Sequence, residues 1–323
     1  MPQPLNCKSI LVARGGALGD FVLTLPVLAA LRARFPAARL EILGYPRIAS
    51  LAQAGGLADA VRPIESPALA SFFAPGAADL DANPWLASFD LIVSYLYDSS
   101  AVLRANIQRA APNATFLSGP HRPDENAGIH AADTFLKPLE ALGILGADPI
   151  PRLNIPAVEP PSPMAQWLAL HPGSGSERKN WPEEKWAGLL CKILEKTAWS
   201  CLLVGGEAEE PRLARLQNFV TGMTKFCTPR VALAQNWPLP KLAATLRCCA
   251  GFVGHDSGVT HLAAALGLAG LVLWGESNQN VWRPRSDAMT ILRHAGGLSR
   301  LPVADVFGNL PRIGHSFPNI SEG

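Results

Sequence analysis

Charged residues are scarce in this sequence: Asp, Glu, Lys and Arg make up only 17% of its 323 residues, and the net charge is +2. A polyanion-binding protein would show a basic stripe or a recognisable module, and neither is present, so no nucleic-acid partner is expected. The six cysteines (Cys7, Cys191, Cys201, Cys227, Cys248 and Cys249) include no Cys-x-x-Cys pair and no metal-ligand spacing. They read as reduced, mostly buried small hydrophobes. Residues 1–9 lack the basic-then-apolar pattern of a signal peptide. The most apolar stretch, residues 21–31, contains Pro26, runs into Arg32 and Arg34, and is too short to span a bilayer. The expectation is a soluble, cytoplasmic protein that can touch the inner face of the cytoplasmic membrane at its surface. There is no internal repeat.

Apolar side chains are plentiful, at 48%, enough to fill two cores, and the length exceeds that of a usual single domain. Residues 9–13 form a short apolar run that meets glycines at once, as expected of a buried parallel strand. Helical periodicity covers residues 21–35, and strands are expected at 39–44 and 90–94, with a helix at 131–142. A proline-dense segment follows over residues 146–163 and favours an extended tether. A second alternation begins behind it: strand 166–171, helix 182–196, strand 200–204, strand 251–254, helix 258–266 and strand 270–274. Strands alternating with helices imply parallel sheets covered on both faces. The expected domains are residues 1–160, including the tether, and 161–323.

In open α/β sheets ligands bind at the carboxyl ends of the strands, and four loops there carry chemistry. In Arg14-Gly15-Gly16-Ala17-Leu18-Gly19-Asp20, Gly16 and Gly19 permit close backbone approach to a ligand. Asp20 opens the following helix and is either a helix cap or a general base. The loop lacks the G-x-G-x-x-G spacing of a dinucleotide fingerprint. In residues 171–182, amides around Ser174 and Ser176 suit phosphate oxygens and Lys179 offers a cation; an ordinary polar connector with an exposed lysine is the other reading. This is not a Walker loop. Glu207, after Gly205-Gly206, is either a ribose-binding acid or a helix-start carboxylate. In residues 252–265, Ser257, Gly258, Val259 and Thr260 open a small-residue helix whose first amides and dipole favour an anion. His255, Asp256 and His261 resemble part of a metal site, but no further protein ligand of suitable spacing follows. Thr260 and His261 are equally able to satisfy local backbone groups.

Taken in order, residues 10–36 (Arg-Gly-Gly-Ala-Leu-Gly-Asp…Leu-Pro), 171–186 (His-Pro-Gly-Ser…Lys-x-Trp-Pro…Trp) and 254–275 (Gly-x-Asp-Ser-Gly-Val-Thr-His-Leu-Ala-Ala-Ala) resemble the ADP-heptose:lipopolysaccharide heptosyltransferase family, glycosyltransferase family 9. The resemblance implies a GT-B architecture: two Rossmann-like α/β domains whose parallel sheets face each other across a cleft. The first would bind the acceptor and the second the nucleotide-sugar, with residues 302–310 packing back on the first. It implies an inverting transfer of a sugar, heptose from ADP-heptose, onto a lipopolysaccharide-core or related glycan acceptor. The nucleotide-sugar is a co-substrate; no metal or other cofactor is implied, and a monomer is expected. Asp20 matches the family's proposed base, and Lys179 the lysine near the diphosphate. Ser257, Gly258, Val259, Thr260 and His261 match the phosphate-binding turn, Asp256 the donor-facing acid, and Glu207 the ribose-binding acid.

The chain departs from the family's pattern after Gly275, where Glu276 stands in place of a usual proline, which leaves the donor sugar open. Gly15-Gly16 likewise replaces a commoner polar pair. A catalytically silent nucleotide-sugar or glycan binder on the same fold is the alternative function. Arg14, Arg47, Arg104, Arg109 and Arg122 are candidate partners for acidic groups of a glycolipid acceptor.

Overall fold

In the computed structural model the chain divides into two units, Met1–Leu153 and Asn154–Gly323. The structure describes residues 7–76, 83–158, 166–222 and 230–310. The division falls within the proline-dense segment, a few residues before the expected boundary. Residues 147–158 form neither helix nor strand, and 159–163 lie outside the described residues, as does Cys227. Leu153 marks the end of the first unit because it packs there: a Cβ on Gly55 would meet its Cδ2 at 2.9 Å.

The first unit runs β1 (Ser9–Arg14), α1 (Leu18–Val22), α2 (Leu25–Arg34), β2 (Arg39–Gly44), α3 (Pro46–Ala54), β3 (Ala60–Pro63), β4 (Leu91–Ser94), α4 (Val102–Ala110), β5 (Thr115–Ser118) and α5 (Ala131–Leu136). Its strands pair in parallel in the order β3-β2-β1-β4-β5. Every residue of β1 is buried, which is why it reads as a continuous apolar run rather than an alternation. Leu11 and Ala13 face Phe72, Ile92, Leu103 and Ile107 in the core. Each large apolar side chain buried this way contributes about 1.5–3 kcal/mol. The expected helix over 21–35 is instead two helices, because Pro26 occupies the first turn of α2, where its missing N–H costs nothing. The expected helix over 131–142 is α-helical only to Leu136 and continues as a 3₁₀ helix over Lys137–Leu142, with Pro138 in its first turn.

The second unit runs β6 (Trp167–His171), α6 (Glu183–Lys196), β7 (Ser200–Gly205), α7 (Glu210–Thr221), β8 (Val231–Gln235), α8 (Leu239–Leu246), β9 (Cys249–His255), α9 (Gly258–Ala265), β10 (Gly270–Leu273), α10 (Gln279–Trp282), β11 (Met289–Leu292) and α11 (Val303–Asn309). Its six parallel strands lie in the order β11-β10-β9-β6-β7-β8. The core gathers Trp181, Trp186, Leu189 and Ile193 against Leu168, Leu203 and Val253. In the C-terminal segment Leu301, Val306 and Leu310 are buried in the core of the second unit, and α11 packs on α6. The apolar edge of α11 completes that core.

Each sheet reverses its strand order once, between β1 and β4 in the first and between β6 and β9 in the second. Neighbouring connections leave in opposite directions at such a point and open a crevice at the carboxyl ends of the strands. The loops after β1, β6 and β9 therefore stand where ligands bind. Among the described residues no helix is long and apolar enough to cross a membrane.

Candidate active site

In the first unit the loop after β1 needs its glycine: Gly16 has φ +92, a conformation that side chains with a Cβ rarely adopt. The turn delivers Asp20 as the third residue of α1, not its cap. The cap is Ala17, which has no polar side chain, and the Asp20 carboxylate reaches back to accept the Ala17 N–H at 3.2 Å. Asp20 therefore does some of the work of a helix cap, yet its side chain keeps 17% exposure. Beneath it lies Arg14, buried at the end of β1. Its Nη2 donates to the Asp20 carbonyl at 3.2 Å and stands 3.8 Å from Oδ1; its Nη1 donates to the His121 carbonyl at 2.9 Å. The Phe135 ring faces the guanidinium carbon at 4.5 Å. Burial lowers the Arg14 pKa, and the Asp20 charge opposes that shift. Arg14 is thus corrected from a candidate acceptor partner to an internal bracket for Asp20, while Arg47, Arg104, Arg109 and Arg122 are exposed.

In the second unit two loops meet. Ser174 Oγ lies 2.7 Å from Asn180 Oδ1 and 2.9 Å from the Ser176 carbonyl, with one proton to give to either, and Ser176 immediately precedes the 3₁₀ turn Glu177–Lys179. That turn presents Lys179, whose Nζ donates to Asp256 Oδ2 at 2.9 Å. Lys179 is 43% exposed and Asp256 11%, so the pair has one open side. Ser257 caps α9, its Oγ accepting the Thr260 N–H at 3.3 Å, while Thr260 Oγ1 donates to the His255 carbonyl. The N–H groups of Gly258 and Val259 belong to the first turn and have no carbonyl four residues back to bond. Amides, hydroxyls and an ammonium thus gather at the head of α9, next to a carboxylate. His261 is buried in the first turn of the same helix.

Sequence reasoning saw His255 only as a possible ligand, whereas the structure makes it the clamp between the two loops. Its Nε2 accepts the Trp181 N–H at 2.7 Å, so Nδ1 carries the proton and donates to the Gly173 carbonyl at 3.0 Å. Burial drives its pKa down to about 3, against the smaller upward effect of the Gly173 bond. Both ring nitrogens are committed, and His255 is a neutral strut. Among the described residues no group of three His, Cys, Asp or Glu side chains could hold a metal ion.

Glu207 is exposed on the 3₁₀ turn after β7. The carboxylate that faces inward is Glu209, which the sequence reading passed over: it accepts the Gly206 N–H at 2.8 Å and fills the space above Gly173, where a Cβ would meet its Cγ at 2.1 Å. The spacing from Gly206 to Glu209 is that of a capping box, a signal that was available. Arg212 was missed for lack of any local signal; its Nη1 holds the Pro172 carbonyl at 2.7 Å and its Nη2 holds Glu177 at 2.7 Å. Glu276 is exposed immediately after Gly275.

Residues 159–302 match the model of glycosyltransferase family 9 (heptosyltransferase). Lipopolysaccharide heptosyltransferase 3 of Escherichia coli is 25% identical, over 89% of this chain and 89% of its own. The structure of Escherichia coli ADP-heptose lipopolysaccharide heptosyltransferase II superposes with a TM-score of 0.77 at 16% identity, covering 94% of this chain and 98% of that one. Escherichia coli heptosyltransferase WaaC with ADP gives 0.69 at 17% identity, covering 95% and 100%. The fold is an α/β fold of the GT-B type, and residues 159–302 within it carry the family match. The protein is a glycosyltransferase that carries a family 9 (heptosyltransferase) domain over residues 159–302.

Proposed function

We propose that the protein moves a sugar, heptose from ADP-heptose, with inversion onto a hydroxyl of a lipopolysaccharide-core or related glycan acceptor. It would act as a monomer on the cytoplasmic side of the membrane, touching the membrane only at its surface. The names of its relatives support this reading, and the observation that carries it is the Lys179–Asp256 pair beside the capped start of α9. An ammonium with donors to spare, next to first-turn amides, is matched to a diphosphate.

In this reading the diphosphate takes the N–H groups of Gly258 and Val259, the hydroxyl of Ser257, and Lys179, with Ser174 and Ser176 on the opposite loop; Thr260, whose hydroxyl is given to the His255 carbonyl, holds the turn instead. Glu207 holds the ribose, and Asp256 faces the donor sugar. Asp20 takes the proton of the acceptor hydroxyl as the acceptor oxygen bonds to the anomeric carbon. The bond from that carbon to the diphosphate breaks, and its electron pair leaves with ADP. A positioned base contributes roughly 10²- to 10⁴-fold, and each fixed donor at the leaving group on the order of 3 kcal/mol. Lys179 and the helix dipole carry the neutralisation, so the reading calls on no cofactor. Glu276 stands where a different donor sugar would be selected.

The test is a melting-temperature panel of ADP, UDP, GDP and ADP-heptose. A ligand at 100 times its Kd stabilises the native state by about 2.7 kcal/mol. ADP and ADP-heptose should raise the transition and the others should not; a uridine or guanine preference would refute the donor assignment.

A further inference from the structure

The chain contains only three tyrosines, Tyr45, Tyr95 and Tyr97, and all three stand at the carboxyl edge of the first sheet, directly after β2 and β4. They flank the loop that carries Asp20. A Cβ on Gly15 would lie 3.5 Å from Leu96 Cδ2 and 4.0 Å from Tyr45 Cε2, so the loop runs between the two strand ends. Tyr95 is structural: it is buried, and its hydroxyl donates to the Phe135 carbonyl at 2.6 Å. Tyr97 is the opposite case, 66% exposed.

Its exposure is not that of a floppy loop. The next residue, Asp98, accepts the Leu103 N–H at 3.1 Å and the Arg104 N–H at 2.8 Å, pinning the segment to the start of α4. The Tyr97 ring meets the His121 ring at a centroid distance of 4.8 Å and an angle of 72°. The backbone of His121 is in turn held by Arg14, the same guanidinium that holds Asp20. A supported aromatic ring and the candidate base therefore hang on one buried bracket.

We propose that Tyr97, backed by His121, is the platform on which the acceptor sugar stacks; the inference rests on the transferase reading and names its acceptor subsite. A pyranose has an apolar face of C–H groups and a rim of hydroxyls. An open tyrosine face takes the first, while the polar neighbours Asp98, Ser99, Ser100 and Arg122 suit the second. An acyl chain would ask for a broader apolar surface than one ring. The platform determines which glycan is bound and how its hydroxyl is presented, and plays no part in donor binding.

The experiment uses a delipidated lipopolysaccharide-core oligosaccharide as probe, followed by saturation-transfer NMR on the full chain, with ADP-induced melting shifts measured in parallel. Tyr97→Ala should weaken oligosaccharide binding about tenfold, Tyr97→Phe should preserve it, and neither should change the ADP shift. Equal oligosaccharide binding by wild type and Tyr97→Ala, or no binding by wild type, overturns the platform. Absence of an ADP shift in wild type, with Tyr97-dependent oligosaccharide binding intact, overturns the donor reading and leaves the platform standing.

Discussion

Lys179 Nζ donates to Asp256 Oδ2 at 2.9 Å, tying the loop after β6 to the start of α9. The two side chains come from segments 77 residues apart in sequence, and the lysine remains the more exposed partner. The lysine end faces solvent while Asp256 is largely buried, so the ammonium is the end a ligand can reach. Lys179→Ala should weaken ADP binding about 10- to 100-fold by titration calorimetry, since charge-assisted hydrogen bonds to phosphate are the strong ones. Equal affinities in variant and wild type would remove Lys179 from the diphosphate site.

Gly16 offers a test of the Asp20 loop that leaves the carboxylate in place. At φ +92 an alanine is strained, and its Cβ would lie 3.0 Å from Asp20 Oδ2. Gly16→Ala should cost about 1–2 kcal/mol of stability and reduce turnover at least tenfold with ADP affinity unchanged. Steady-state kinetics beside a denaturant titration separates the two effects.

Acidification should destabilise the second unit through His255. Its folded pKa, about 3, lies below the ordinary 6.5, so the unfolded chain binds the proton more readily. The stability contributed by the neutral strut is full above pH 6.5 and is lost as the pH falls through that window toward 3, at up to roughly 1.4 kcal/mol per pH unit. Burial also lowers the His171 pKa, which acts in the same direction. Chemical denaturation at pH 7 and pH 5 should show the loss, and His255→Gln should flatten the slope while lowering the stability at pH 7.

Glu207 and Glu209 divide two roles that sequence alone merges. Glu207→Gln should narrow the difference in affinity between ADP and 2′-deoxy-ADP, because the ribose contact is weakened. Glu209→Ala removes the carboxylate that caps Gly206 and should lower stability by about 0.5–2 kcal/mol. If only Glu209 affects ribose selectivity, the ribose role moves to Glu209.

What could be read from the sequence follows burial. β1, β6, β7 and β9 are largely apolar runs inside their sheets that end in glycine or histidine or, for β1, in Arg14 just before Gly15, and were visible as such. β3, β5, β8 and β11 were not: their residues are half-exposed, and short edge strands carry neither a continuous run nor a clean alternation. The loops with glycines and hydroxyls were legible because glycine conformation and helix-start chemistry are local. The struts behind them were not. Arg14 on the His121 carbonyl, His255 between Gly173 and Trp181, and Arg212 on Pro172 each join segments that only the fold brings together.

The most direct measurement is release of ADP from ADP-heptose, with and without acceptor, by wild type and by Asp20→Asn, a nearly isosteric change that removes the proton acceptor. Turnover should depend on acceptor and fall at least about 10²-fold in the variant, with ADP affinity little changed. Undiminished turnover in Asp20→Asn would contradict the assignment of Asp20 as the base and leave it the structural role of accepting the Ala17 N–H at the first turn of α1.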